Sequence, residues 1–135
     1  MRKETIEYTD YNGNKRSEDH YFHLTEAEVA KMELGVKGGL SEMLSRLVEL
    51  QDQPAIIKVL EDIIQKSYGV KTLDGKGFDK DPKHLKEFMM TEAYSKLFMK
   101  LAFDADAAAQ FLTGILPADL AKRAAELAEK NAVAN

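Results

Sequence analysis

The sequence contains no cysteine. That single absence removes disulfides, thiolate metal sites and cysteine nucleophiles together. Long apolar runs are missing too. The longest hold only a few residues, against the roughly 20 needed to span a bilayer. No apolar stretch follows the charged start Met1-Arg2-Lys3-Glu4, so neither a secretory signal nor a membrane partner is expected. Positive charge is not in excess: 19 Lys and Arg face 23 Asp and Glu, a formal charge of −4. Phosphate binding needs clustered basic side chains, and the spots Lys15-Arg16 and Lys122-Arg123 are flanked by acids, so no nucleic-acid partner is expected. What remains is 135 residues, 44% hydrophobic and 31% charged. Those proportions describe one ordinary globular domain with a modest core, compatible with the cytoplasm.

The chain opens on a hairpin pattern. Thr5-Ile6-Glu7-Tyr8-Thr9 alternates and is rich in β-branched and aromatic residues, which predicts a strand. Asn12-Gly13 predicts a type I′ turn, since both residues tolerate positive φ. The return strand is expected around Asp19 to Leu24, with Tyr8 and Tyr11 as cross-strand partners. A lone hairpin is marginal in water. It is therefore expected to pack on the helices or to pair with another copy of itself, through Tyr8, Tyr11, Tyr21 and Phe22.

Helical signals fill the rest. Thr25 and Glu28 form a capping-box pattern, with Leu24 and Val29 placed as its hydrophobic staple and a stop near Gly35. A second helix is predicted roughly over Ser41–Gln51, striped by Leu40, Leu44, Leu47 and Val48. A third starts at Pro54, carries Ile56, Ile57, Leu60, Ile63 and Ile64, and runs to Gly69. These two are expected to form an antiparallel pair at the centre of the core. The stretch from Val70 to Lys80 is either a loop or a short hairpin turning at Asp74-Gly75; the loop, anchored by Phe78, is the expectation. Asp81-Pro82 opens a fourth helix, which Thr91-Glu92 restarts or kinks. Asp104 caps a fifth, broken by Pro117. From Ala118 to about Lys130 the composition is strongly helix-forming, with a frayed tail beyond. The expected fold class is mainly α, a small domain of five to six short helices. Its parts are a hairpin arm over 1–24, a helical core over 25–117 and a terminal segment over 118–135.

Tests for chemistry fail one after another. Gly75-Lys76 would need a glycine at position 70 and a Ser or Thr at 77 to cradle phosphate, and the chain has Val70 and Gly77. His20 and His23 lie three apart on a predicted strand, so their side chains point to opposite faces, and His84 is remote. Asp104 and Asp106 sit at a helix start, where carboxylates satisfy free amides. Asp74 to Asp81 lacks the order of ligands in a calcium loop. Catalytic, metal and cofactor-binding residues are thus expected to be none, and cofactors none. One apolar region carries a different message. Phe88, Met89, Met90, Tyr94, Phe98, Met99 and Phe103 fall within one helical stretch and occupy more than one face. Such a helix is either buried centrally or meets a partner, and pliable Met-rich surface is a recurrent binding solution.

Three ordered stretches resemble the tail assembly chaperones of long-tailed, siphophage-type bacteriophages of Gram-positive hosts. They are YTDYNGNKRSEDHYFHLTEAEVAKMEL, GGLSEMLSRLVELQDQPAIIKVLEDIIQKSYG and FMMTEAYSKLFMKLAFDADAAAQFLTGILPADL, covering about residues 5 to 120. The resemblance implies a largely helical, non-enzymatic protein of the host cytoplasm, absent from the mature virion. It implies binding to the tape measure protein, whose apolar helices it keeps soluble, and help in recruiting tail tube protein. It further implies a long form made by ribosomal frameshifting, with this chain as the short form ending LAKRAAELAEKNAVAN. The competing expectation is a structural tail or connector component retained in the virion.

Overall fold

The computed structural model describes residues 1–35, 54 and 56–118. Its first element, β1 (Arg2–Thr9), runs antiparallel to β2 (Lys15–Phe22), with Arg2 opposite Phe22 and Thr9 opposite Lys15. Between them lies a longer loop than the two-residue turn predicted. The Asp10 amide donates to the Asn14 carbonyl at 2.9 Å, and the Gly13 amide donates to the Asp10 carbonyl at 3.0 Å. Gly13, at φ +83°, supplies the left-handed residue this loop requires. The Asp10 carboxylate also accepts from the Asn12 and Asn14 amides, each at 2.9 Å. Both amides are thereby satisfied locally.

The chain beyond the isoleucine-rich helix overturns the fold class predicted from sequence. Helix α1 (Glu26–Gly35) precedes α2 (Ile56–Ser67), and α2 stops short of the predicted Gly69. The chain passes straight into β3 (Tyr68–Lys71), which turns back as β4 (Phe78–Asp79). β3 also pairs with β2, Phe22 opposite Tyr68 and Tyr21 opposite Gly69. The result is a four-stranded antiparallel sheet in the order β1-β2-β3-β4. The protein is therefore α+β and not mainly α. The expected loop over Val70 to Lys80 is the second hairpin. Its turn repeats the device of the first, with Gly75 at φ +75° donating its amide to the Thr72 carbonyl at 2.9 Å.

Three further helices complete the described chain: α3 (Pro82–Met89), α4 (Glu92–Phe103) and α5 (Ala105–Ile115). The caps agree with the sequence signals. Thr25 and Glu28 bond each other's amides at 2.9 and 3.1 Å. Asp81 accepts from the Lys83 amide at 2.9 Å, and Asp104 from the Ala107 amide at 3.0 Å. Leu116 is extended (φ −86°, ψ 151°), as the residue before a proline prefers to be. The predicted helix at Ser41–Gln51, and so the antiparallel pair built on it, lies outside the described residues. The predicted helix beyond Ala118 lies outside them as well.

One face of the sheet makes the core. Along β1 the buried residues Glu4, Ile6 and Tyr8 alternate with exposed Lys3, Thr5, Glu7 and Thr9. Ile6 and Phe22 join Leu60, Ile63 and Ile64 of α2, Phe88 of α3, Leu97 and Leu101 of α4, and Phe111 and Ile115 of α5 in one cluster. This is two-layer packing, helices over one sheet face with the other left polar. Where β2 leaves the sheet, several chain ends converge. The His23 amide donates to the Ser67 carbonyl of α2 at 2.8 Å, and the Leu24 amide to the Ile115 carbonyl of α5 at 2.7 Å. Helix C-terminal carbonyls have no partner inside their own helix, and these two find one in the strand exit.

Candidate functional site

The apolar stretch from Phe88 to Phe103 is divided by the phase of its helices. Phe88 is buried at the end of α3, where its ring stacks on Tyr68 at 4.4 Å and meets Tyr94 edge-on at 5.6 Å. The rings of His20 and Phe22 lie 4.7 and 5.9 Å away. Phe88 is thus the centre of an aromatic cluster joining sheet to helices. On α4, Ala93, Leu97 and Leu101 recur at helical spacing and form the buried stripe. Tyr94 and Phe98 flank that stripe, half-buried against the core. Met99 and Phe103 fall on the opposite side, one turn apart, exposed by 51% and 80%. Met89 and Met90, where α3 ends, are 37% and 58% exposed. Phe88, Tyr94 and Phe98 therefore hold the fold together, while Met89, Met90, Met99 and Phe103 reach solvent.

The hairpin candidates separate in the same way. Phe22 is fully buried and Tyr8 nearly so, its hydroxyl donating to the Glu18 carboxylate. That hydrogen bond, with burial and the Glu18 charge, raises the Tyr8 pKa above 10.0. Tyr8 lies opposite Arg16, not Tyr11, which sits in the loop and is exposed. Tyr21 is half-buried on the polar face of the sheet, with the Lys71 ammonium 3.9 Å above its ring. An open groove of about 730 Å³ lies between the first hairpin and the start of α4. Tyr8, Tyr11, Arg16, Glu92 and Lys96 are among its walls, so it presents charges of both signs rather than an apolar trough.

Two polar centres were not singled out from sequence. Lys80 donates to the Glu28 carboxylate at 2.6 Å, the His23 carbonyl at 2.7 Å and the Lys66 carbonyl at 3.0 Å. Burial pushes the Glu28 carboxyl up, but the Lys80 ammonium and the Thr25 amide outweigh it and leave the pKa lowered. Glu4, buried on the inner sheet face, is held by Arg2 at 2.9 Å and Lys100 at 3.3 Å. The alternation of β1 could have revealed Glu4, because it shares a face with Ile6 and Tyr8. Nothing local reveals Lys80, whose carbonyl partners lie 14 and 57 residues away.

His20 and His23 diverge as their spacing requires. The His20 ring lies in the aromatic cluster, while His23 faces Phe78 at 6.5 Å. Burial lowers both pKa values, and the N-terminus and Lys80 lower that of His23 further. Among the described residues no three metal-ligating side chains converge. No described helix is long and apolar enough to cross a membrane. Asp104 and Gly75 serve a helix cap and a turn. What the geometry offers is an α+β scaffold with exposed apolar side chains at the end of α3 and on α4.

The chain matches, over residues 1–134, the family described as phage tail assembly chaperone. It belongs to that family. No curated protein and no solved structure matches it. Chaperones of this kind are generally non-enzymatic, non-structural phage proteins, and their partners are phage tail proteins. For a tail assembly chaperone, the side chains that matter are those that can touch another protein. Of the seven apolar residues between Phe88 and Phe103 singled out from sequence, Met89, Met90, Met99 and Phe103 are the exposed ones.

Proposed function

We propose that this chaperone binds the tape measure protein in the host cytoplasm, keeps its apolar helices soluble, and helps bring tail tube subunits to it before leaving the particle. The observation that carries this reading is the outward placement of Met99 and Phe103 on α4, with Met89 and Met90 beside the α3–α4 junction. Large apolar side chains held away from the core are costly to leave in water and, when grouped, are characteristic of interaction surfaces. Their i, i+4 spacing suits a partner helix laid against α4, and unbranched methionine adapts to varied apolar partners. The acidic balance of the chain keeps such a complex soluble.

Co-expression with the tape measure protein of the same phage tests the reading. The expected outcome is that the tape measure protein moves from the insoluble to the soluble fraction and co-purifies, while purified virions contain none of this chain. An insoluble tape measure protein with nothing co-purifying would sink the proposal. Recovery of the chain from virions by mass spectrometry would favour a structural tail component instead.

A further inference from the structure

The outer edge of β1 is an unpaired strand edge among the described residues. Even-numbered residues of β1 direct their backbone groups towards β2. This follows from the Asp10 amide donating to the Asn14 carbonyl, in register with the ladder in which Tyr8 faces Arg16 and Ile6 faces Glu18. The amides and carbonyls of Lys3, Thr5, Glu7 and Thr9 therefore point away from β2, along an edge that no strand among the described residues occupies. The side chains of these four residues are all exposed on the polar face. The edge is eight residues long, with neither proline nor a bulge in its ladder. Its outward Lys3 and Glu7 and inward Glu4 discourage indiscriminate strand addition, so only a strand that complements these charges can add.

We infer that β1 pairs antiparallel with β1 of a second copy, about a two-fold axis through Thr5, to make one continuous eight-stranded sheet. The charges select this register. Hydrogen-bonded pairs across the new seam must join odd residues to odd residues. With Thr5 opposite the partner's Thr5, Lys3 lies opposite the partner's Glu7, and Glu7 opposite the partner's Lys3. Sliding the strand by two residues either way breaks both charge pairs, setting Lys3 against the partner's Thr5 or Thr9. The isologous geometry is self-limiting, since each copy has a single β1 edge to offer. A single strand seam buries less area than a standard interface, so the dimer is expected to be weak and concentration-dependent. This inference does not depend on which tail protein the chaperone binds.

Charge exchange tests it, read by sedimentation equilibrium of the full chain. The wild type is expected to show a monomer–dimer equilibrium. Lys3→Glu alone, or Glu7→Lys alone, sets like charges opposite each other twice per dimer and should weaken association about tenfold or more. The double variant Lys3→Glu/Glu7→Lys restores opposite charges and should recover the wild-type dimer. Both positions are exposed on the polar face, so the monomer fold is preserved. A chemical readout accompanies it. The chain lacks cysteine, and residues facing each other on a hydrogen-bonded pair have Cα atoms about 5.5 Å apart, within disulfide reach. Thr5→Cys should therefore cross-link into a dimer under mild oxidation, whereas Thr9→Cys, about 26 Å from its counterpart, should not. A wild type that stays monomeric throughout, or a dimer indifferent to the charge exchange, overturns the inference. So does finding that the single variants impair only capture of a tail protein, because the edge would then belong to that partner.

Discussion

The Lys80 ammonium donates to oxygens from three separate parts of the chain: the exit of β2, the C-terminus of α2 and the capping box of α1. Lys80→Ala would leave a part-buried carboxylate and two carbonyls without this donor. Hydrogen bonds to charged groups contribute about 1.5–3 kcal/mol each at most, and water replaces part of that here, so a net loss of about 1–3 kcal/mol is expected by urea denaturation. Glu28 gives this junction a pH signature. Its carboxyl titrates below the ordinary 4.5 in the folded chain. Its contribution is then complete above pH 4.5 and is lost as pH falls through the lowered value. Glu28→Gln should be less stable than wild type at pH 7, and the gap should narrow as pH falls below 4.5. His20 acts over a different window. Burial lowers its pKa below 6.5, against the opposing pull of Glu18 and Asp19. The unfolded chain binds the proton first, so stability declines as pH falls below 6.5. His20→Phe keeps a ring against Phe88 without a site to protonate. Its urea midpoint should fall less than that of the wild type between about pH 7.5 and 5.5, the remaining slope coming from His23.

At the level of elements, the second hairpin depends on one close approach. A Cβ on Gly69 would lie 2.6 Å from the ring of Phe78, on the neighbouring strand β4. Gly69→Ala must displace that ring and should cost about 1–3 kcal/mol, the usual scale of overpacking. Gly69→Ala/Phe78→Leu should recover part of the loss in thermal denaturation, which a general intolerance of alanine in β3 would not allow. This hairpin also marks the limit of what local sequence encodes. The helices announce themselves locally, through Thr25 with Glu28, Asp81 with Pro82, and Asp104. The first hairpin does so too, through alternation and Asn12-Gly13. β3 and β4 have only 4 and 2 residues, too few to show a period, and β3 is defined by pairing with Tyr21 and Phe22, far earlier in the chain. The candidate surface was half legible for a related reason. The stripe of Ala93, Leu97 and Leu101, with Tyr94 and Phe98 beside it, is legible in the sequence and is the buried side of α4. Which of the remaining apolar residues reach solvent is set by how α3 and α4 pack on the sheet.

For the molecule as a whole, the sheet and the aromatic cluster form the scaffold, and the apolar side chains projecting from α3 and α4 are carried by it. That separation makes the chaperone reading open to a clean genetic test. Phe88→Ala removes the ring on which Tyr68 stacks and to which Tyr94 presents its edge, and should cost about 3–5 kcal/mol. Any loss of partner binding in that variant would follow from loss of the fold. Met99→Ser/Phe103→Ser removes two side chains that reach solvent, and surface changes of this kind are usually within about 0.5 kcal/mol each. The double variant should therefore melt like the wild type and still fail to hold the tape measure protein in solution on co-expression. If it melts like the wild type and solubilises its partner equally well, the outward face of α4 is not the binding surface. The mixed-charge groove beside the first hairpin would be the next surface to alter, beginning with Lys96 and Tyr11. Binding there should weaken as salt is raised, whereas binding through Met99 and Phe103 should persist, because burial of apolar area is not screened by ions.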